Sequence, residues 1–204
     1  MKRIAQLGLG ALLAATFGGP VAAQQAAPAP AATPTAVAPP PAQAAATPAA
    51  MPAARPADVA SVDAIVAALY DVISGPAGAP RDWDRMRSLF ALDARMGAVG
   101  MRPDGSHVLR TMTPEDYITR NTKAFATMGF FESELARTTE TFGQIAHVFS
   151  TYEAKHAKDD AKPFMRGINS IQLIHDGKRW YVLSLIWRAE DAKLQLPERY
   201  LRNG

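Results

Sequence analysis

The first 57 residues constrain the fold most, because nothing in them can build a core. Met1–Lys2–Arg3 opens with positive charge, Ile4–Phe17 is an apolar run, and Val21–Ala22–Ala23 closes it with small residues. These are the three parts of a secretory signal peptide, residues 1–23. Residues 24–57 then hold 16 alanines, nine prolines and a single charge, Arg55. Such a tract buries too little apolar side-chain surface to offset the entropy of ordering it. Its scattered prolines also oppose a continuous alanine helix. It reads as a disordered Ala/Pro-rich linker, so a folded domain is confined to residues 58–204.

The apolar run is too short to cross a bilayer core, which takes about 20 helical residues. No twin-arginine pair and no cysteine near the cleavage point is present, which favours the general secretory route and no lipid anchor. Cleavage after Ala23 is expected to release a chain starting at Gln24 into a bacterial periplasm, with no membrane attachment afterwards. The complete lack of cysteine excludes cysteine–metal clusters, iron–sulfur centres and thiol nucleophiles. Charge argues against a nucleic-acid partner. Of 22 basic residues, Lys2, Arg3 and Arg55 precede the domain, which leaves 19 against 19 acidic ones. A formally neutral domain lacks the net charge that draws a polyanion.

Within the domain, Asp58 can cap a helix to about Ser74, with Val59, Val62, Val66, Leu69 and Ile73 as one apolar stripe. Gly75–Pro80 breaks it. A short helix follows Asp82, with Trp83, Met86, Leu89 and Phe90 on its buried side. Arg95–Met112 reads as a hairpin around Pro103–Asp104–Gly105. Thr113–Pro114–Glu115–Asp116 is a helix start, and that helix is expected to stop at Met128–Gly129, with the glycine in the left-handed cap conformation. From Phe130 the period changes to two. Phe130–Thr141, Gln144–Lys155, Lys162–His175 and Lys178–Ala189 are strand candidates, the last pair joined by Asp176–Gly177. Residues 196–201 are expected to form one helical turn. The order implies an α+β fold: about three helices on one face of a curved antiparallel sheet, with a pocket between.

Several segments resemble the nuclear transport factor 2-like superfamily, whose cone fold is shared by ketosteroid isomerase, scytalone dehydratase and polyketide cyclases. They are Ser74–Gly78, Arg81–Phe90, Arg166–Leu173, Asp176–Tyr181 and Pro197–Leu201. The chain looks like a secreted bacterial branch of that superfamily. The resemblance covers residues 58–204 and speaks to fold more than activity, because one fold hosts many functions. Ketosteroid isomerases carry a phrase like Leu-Phe-Ala-Asp-Asp-Ala, then a general-base aspartate a few residues on. Here Leu89–Ala94 reads Leu-Phe-Ala-Leu-Asp-Ala, and Ala98 or Gly97 falls at the base position. Neither can take a proton, so that mechanism is not expected.

The four histidines, His107, His147, His156 and His175, show no metal-ligand spacing, and no Gly-x-Ser-x-Gly elbow occurs. Asp82 and Asp84 lie two apart, which does not put both on one side of a helix. Trp83, at the start of a short helix, can line the mouth of a cone or pack in its core. On the strand Lys162–His175, Arg166 and Ser170 share one face while Asn169 points to the other. Tyr152 and Glu153 pose the same choice on the neighbouring strand, and parity does not say which face lines the pocket. Trp180 and Trp187 differ in parity and cannot both face inward without a bulge.

The ligand-binding candidates are therefore Trp83, Tyr152, Arg166, Asn169 and Trp187. No residue is assigned as catalytic, and no metal or cofactor is expected. The leading reading is a periplasmic cone that binds a small, partly apolar molecule. Two alternatives stay open: an enzyme of the dehydratase or cyclase proton-transfer type, drawing on His147, Tyr152 or Glu153, and a structural module that forms a homodimer through its sheet.

Overall fold

Helical structure begins at Pro56, two residues ahead of the expected boundary, in a computed structural model that describes residues 51–102 and 104–202. The expected signal peptide and most of the expected linker lie outside the described residues. Helix α1 (Pro56–Val59) is a single turn. Ser61 restarts the chain, its hydroxyl accepting from the Ala64 N–H at 3.0 Å, and α2 runs from Val62 to Ile73. Asp58, expected as that cap, instead accepts two hydrogen bonds from the Arg85 guanidinium (2.7 and 2.9 Å). The arginine holds the Asp58 carboxyl below its usual range. Asp82 caps α3 (Trp83–Leu89), and Phe90, expected on that helix, is already the first residue of β1 (Phe90–Met101).

Strand β2 (His107–Met112) returns along β1 and hands the chain to α4 (Pro114–Phe125). Thr113 and Asp116 form a reciprocal capping box there. The helix ends at Phe125, short of the expected stop. Gly129 is not left-handed; it is needed because a Cβ would lie 2.1 Å from the carbonyl oxygen of His156.

Four hairpin-linked strands complete the sheet: β3 (Phe131–Phe142), β4 (Ile145–Lys155), β5 (Met165–His175) and β6 (Trp180–Ala189). The β5–β6 turn is a four-residue loop, not the two-residue one expected, since His175 pairs with Trp180. Asp176 accepts from the N–H groups of Lys178 and Arg179 and so braces the longer loop. The sheet order is β2-β1-β6-β5-β4-β3. Every pairing is antiparallel except β1 on β6, which is parallel. After α4 the chain re-enters at the far edge, and successive reversals bring β6 back beside β1 in the same direction. Register shifts in β1, β3 and β6 add residues to one strand of a pair, which bends a sheet. The result is α+β: helices packed on one face of a curved, six-stranded sheet, with a 3₁₀ turn at Glu198–Tyr200.

Candidate functional site

Helices α2, α3 and α4 do not fill the space above the sheet. A cavity of about 310 Å³ remains. Its walls are mostly apolar, with Leu69, Met86, Phe90, Met96, Met112 and Ile171 among them. Period-two alternation decides which strand residues reach it. On β5 the buried set is Gly167, Asn169, Ile171 and Leu173, and on β4 it includes Ala146, Val148, Ser150 and Tyr152. The face carrying Tyr152 and Asn169 is therefore the inner one.

The helix end beside the cavity is fixed by one side chain. Arg81 is 9% exposed and donates to the carbonyls of Ile73, Gly75, Pro76 and Ala79 at 2.6–3.3 Å, with its guanidinium over the Phe125 ring. It bonds the last turn of α2 and the Gly75–Pro80 loop, where the carbonyls of Ile73 and Ala79 have no other donor among the described residues. Gly75 is required beneath it, since a Cβ would sit 2.7 Å from the guanidinium. Gly75 also exchanges backbone hydrogen bonds with Phe130 (2.7 and 3.0 Å). The Ser74 hydroxyl donates to the Tyr70 carbonyl at 2.7 Å and accepts from the Glu132 N–H at 3.0 Å. The start of β3 is thus pinned to the end of α2, which sets Glu132 against the cavity.

Glu132 is the titratable group of this site. Burial pushes its carboxyl up to about 7, and a hydrogen bond from Asn169 opposes that only in part. Asn169 donates both amide hydrogens, to Glu132 Oε1 at 3.2 Å and to the Tyr70 hydroxyl at 3.1 Å. Tyr70 donates onward to Ser150 (2.6 Å), and Ser150 to Glu134 Oε1 (2.5 Å), itself paired with Arg137. Tyr70, Tyr117 and Tyr152 all line the cavity, and burial raises each phenol, with the Glu132 charge adding to the effect. The Tyr152 hydroxyl is buried with no hydrogen-bond partner among the described residues. An unsatisfied buried hydroxyl is rare and calls for an explanation. Chemically, the site offers an apolar chamber and a carboxyl poised between its two protonation states.

Of the five candidate residues, Tyr152, Asn169 and Trp187 line the cavity and Trp83 and Arg166 do not. Trp83 stacks on Phe125 with ring centroids 6.2 Å apart, inside the core. Arg166 lies on the other face of β5, paired with Glu190 at 2.9 Å. Trp187 meets the edge of Tyr117 at 6.1 Å. A bulge at Leu183 changes the parity of β6, so that both Trp180 and Trp187 pack toward the helices. His147 bonds to Ser170 and Glu153 pairs with Lys155, both away from the cavity. Asp82 serves as a helix cap, and Asp84 pairs with Arg87. Ala98, at the position of the isomerase base, does line the cavity; the carboxyl comes from β3 instead.

Glu132, Tyr70, Tyr117, Arg110 and Arg120 were not singled out from the sequence. Parity carried a signal for Glu132, since it shares a face with the buried Phe130. Helical spacing carried one for Tyr117, Arg120 and Asn121, which fall at i, i+3 and i+4 on α4. Among the described residues no group of three or more His, Asp or Glu is arranged to hold a metal. Nor is any described helix long and apolar enough to cross a membrane.

No protein-family model matches the chain, and no curated protein matches it. Solved structures do. A protein of cystatin-like fold from Nostoc punctiforme is 10% identical, with a TM-score of 0.49, over 64% of this chain and 90% of that one. An NTF-2 like protein from Silicibacter pomeroyi is 19% identical, TM-score 0.42, over 64% and 94%. An NTF2-like protein from Cytophaga hutchinsonii is 12% identical, TM-score 0.43, over 62% and 89%.

Proposed function

We propose that this chain, whose fold is the nuclear transport factor 2-like cone, is exported to the periplasm and there binds a small, partly apolar molecule in its cavity. The observation that carries the reading is an open, mostly apolar chamber of about 310 Å³ with Glu132 and Asn169 in its wall. Pockets of this size, mostly apolar with a few convergent polar groups, are the usual form of small-molecule sites. Glu132 and Asn169 would supply the polar contacts to such a ligand. The signal-peptide pattern of residues 1–23 supports export. Mass spectrometry of a periplasmic fraction tests that part: a chain beginning at Gln24 is expected, and a membrane-bound species retaining Met1 would contradict it. For the pocket, a small-molecule panel should include compounds that raise the melting temperature, because ligands of the native state stabilise it. A panel with no such member would count against binding.

One observation favours a second reading, a proton-transfer enzyme of the dehydratase or cyclase type. A carboxyl at about 7 is matched to giving and taking protons near neutral pH. Glu132 would be the acid or base, and turnover would then follow its ionisation. A turnover rate indifferent to Glu132→Gln would remove this reading while leaving the binding one intact. A homodimer formed through the sheet remains compatible with either reading, but a purely structural module has no need of an open chamber.

A further inference from the structure

The cavity is polar at two places of opposite character. Glu132 on β3 and Asn169 on β5 meet it on the inner face of the sheet, while Arg110 and Arg120 line it as exposed residues and so mark its mouth. They come from different elements. Arg110 alternates with Met112 on β2, and Arg120 follows Tyr117 by three residues on α4. Each of Met112 and Tyr117 also lines the cavity.

Every other arginine among the described residues is engaged. Arg81, Arg95 and Arg179 donate to backbone carbonyls. Arg55, Arg85, Arg87, Arg137, Arg166 and Arg188 pair with carboxylates. Arg102 bonds Ser106, Arg199 covers Tyr200, and Arg202 pairs with Glu198. Arg110 and Arg120 have no hydrogen bond, ion pair or ring partner among the described residues; Arg120 only feels the charge of Asp116 nearby on α4. Two guanidinium groups without partners at one opening are a ready receptor for an anion, because they bind carboxylate, phosphate or sulfonate oxygens through paired N–H donors.

We infer that the ligand is amphipathic: an apolar body in the cavity, and an anionic group held at the mouth by Arg110 and Arg120. This rests on the binding reading above and adds the ligand's charge and orientation. The inner end is the less favourable place for the anion, since it offers no cationic side chain and Glu132, when ionised, would meet it as a like charge in a desolvated site. Methionines 86, 96, 112 and 165 line the chamber and can adapt to bodies of different shape.

Two fluorescent probes with the same aromatic body separate the two claims. They are 1-anilinonaphthalene-8-sulfonate, which is anionic, and N-phenyl-1-naphthylamine, which lacks the sulfonate. Both are titrated into the purified protein and into Arg110→Gln, Arg120→Gln and the double variant. The protein should bind both, and the double variant should lose roughly tenfold or more in affinity for the sulfonate while the neutral probe is unaffected. Raising salt should weaken the sulfonate alone. Equal affinity of native protein and double variant for the sulfonate would overturn the anion site and leave the pocket standing. Loss of both probes together would also overturn it, because the arginines would then serve the chamber rather than the charge. If neither probe binds the native protein, the binding reading falls, and this inference with it.

Discussion

Glu132 sits where a carboxyl resists ionising, and that has a consequence for stability. Its proton is held more tightly in the folded chain, at about 7, than at its ordinary value of 4.5. Its contribution to stability is thus full below about 4.5 and is lost as pH rises through about 7. The ceiling on that loss is on the order of 3 kcal/mol, reduced by any water that enters the chamber. Glu132→Gln should therefore gain on the native protein between pH 5 and pH 8 in thermal unfolding; a constant difference across that range would refute the burial of the charge. Tyr152 gives a second test. Because its hydroxyl has no partner, Tyr152→Phe should change stability by less than about 1 kcal/mol in urea unfolding, or increase it slightly. A loss well beyond that would mean the hydroxyl is bonded. Gly167 lets that hydroxyl sit close to the β5 backbone, since a Cβ there would lie 2.8 Å from it and 2.4 Å from the Arg188 carbonyl oxygen.

The elements around the site are joined by polar side chains that end helices and begin strands. Arg81 alone supplies donors to four carbonyls of the α2 end and its loop. Arg81→Ala would remove a donor from all four, leave the Ile73 and Ala79 carbonyls without a partner in a half-dry setting, and remove the ring contact with Phe125. A cost of about 3 kcal/mol is expected, read as a lower urea midpoint. Lysine should restore little, since one ammonium cannot span the same set. At the other end of the cavity, α4 depends on the Thr113–Asp116 capping box. Thr113→Ala should cost about 1 kcal/mol, and as α4 carries Tyr117 and Arg120, probe binding should weaken with it. An unchanged midpoint would show that tertiary packing, not the cap, holds this helix.

For the molecule as a whole, the open chamber is the feature that separates a binding protein from a filled scaffold. Ala98 lines it from β1. Ala98→Leu adds apolar volume to empty space, which should leave stability unchanged or raise it by up to about 1 kcal/mol, read as a melting temperature that does not fall. The same substitution should weaken the neutral probe. Undiminished probe affinity would place the binding site elsewhere.

How much of this was legible from residues alone follows the range of the interactions. Local signals read true where the deciding contacts are local: the Asp82 and Thr113 caps, the four late strands and the α+β order all rest on neighbours within a few positions. They failed where a distant group competed. Asp58 left its expected cap for Arg85, Gly129 answers to the His156 carbonyl, and β1 runs parallel to β6 because of where α4 returns the chain. The site follows the same division. Sequence parity set Asn169 against Arg166 on one strand and Tyr152 against Glu153 on the next, but only strand register and the packing of helices on one face of the sheet put Asn169 and Tyr152 together inside. The signal-peptide pattern, the lack of cysteine and the balanced charge of residues 58–204 were set by composition. The raised carboxyl of Glu132 and the unpartnered arginines at the mouth were not. Each arises from groups brought together across the chain, and their chemistry exists only once the cone is closed.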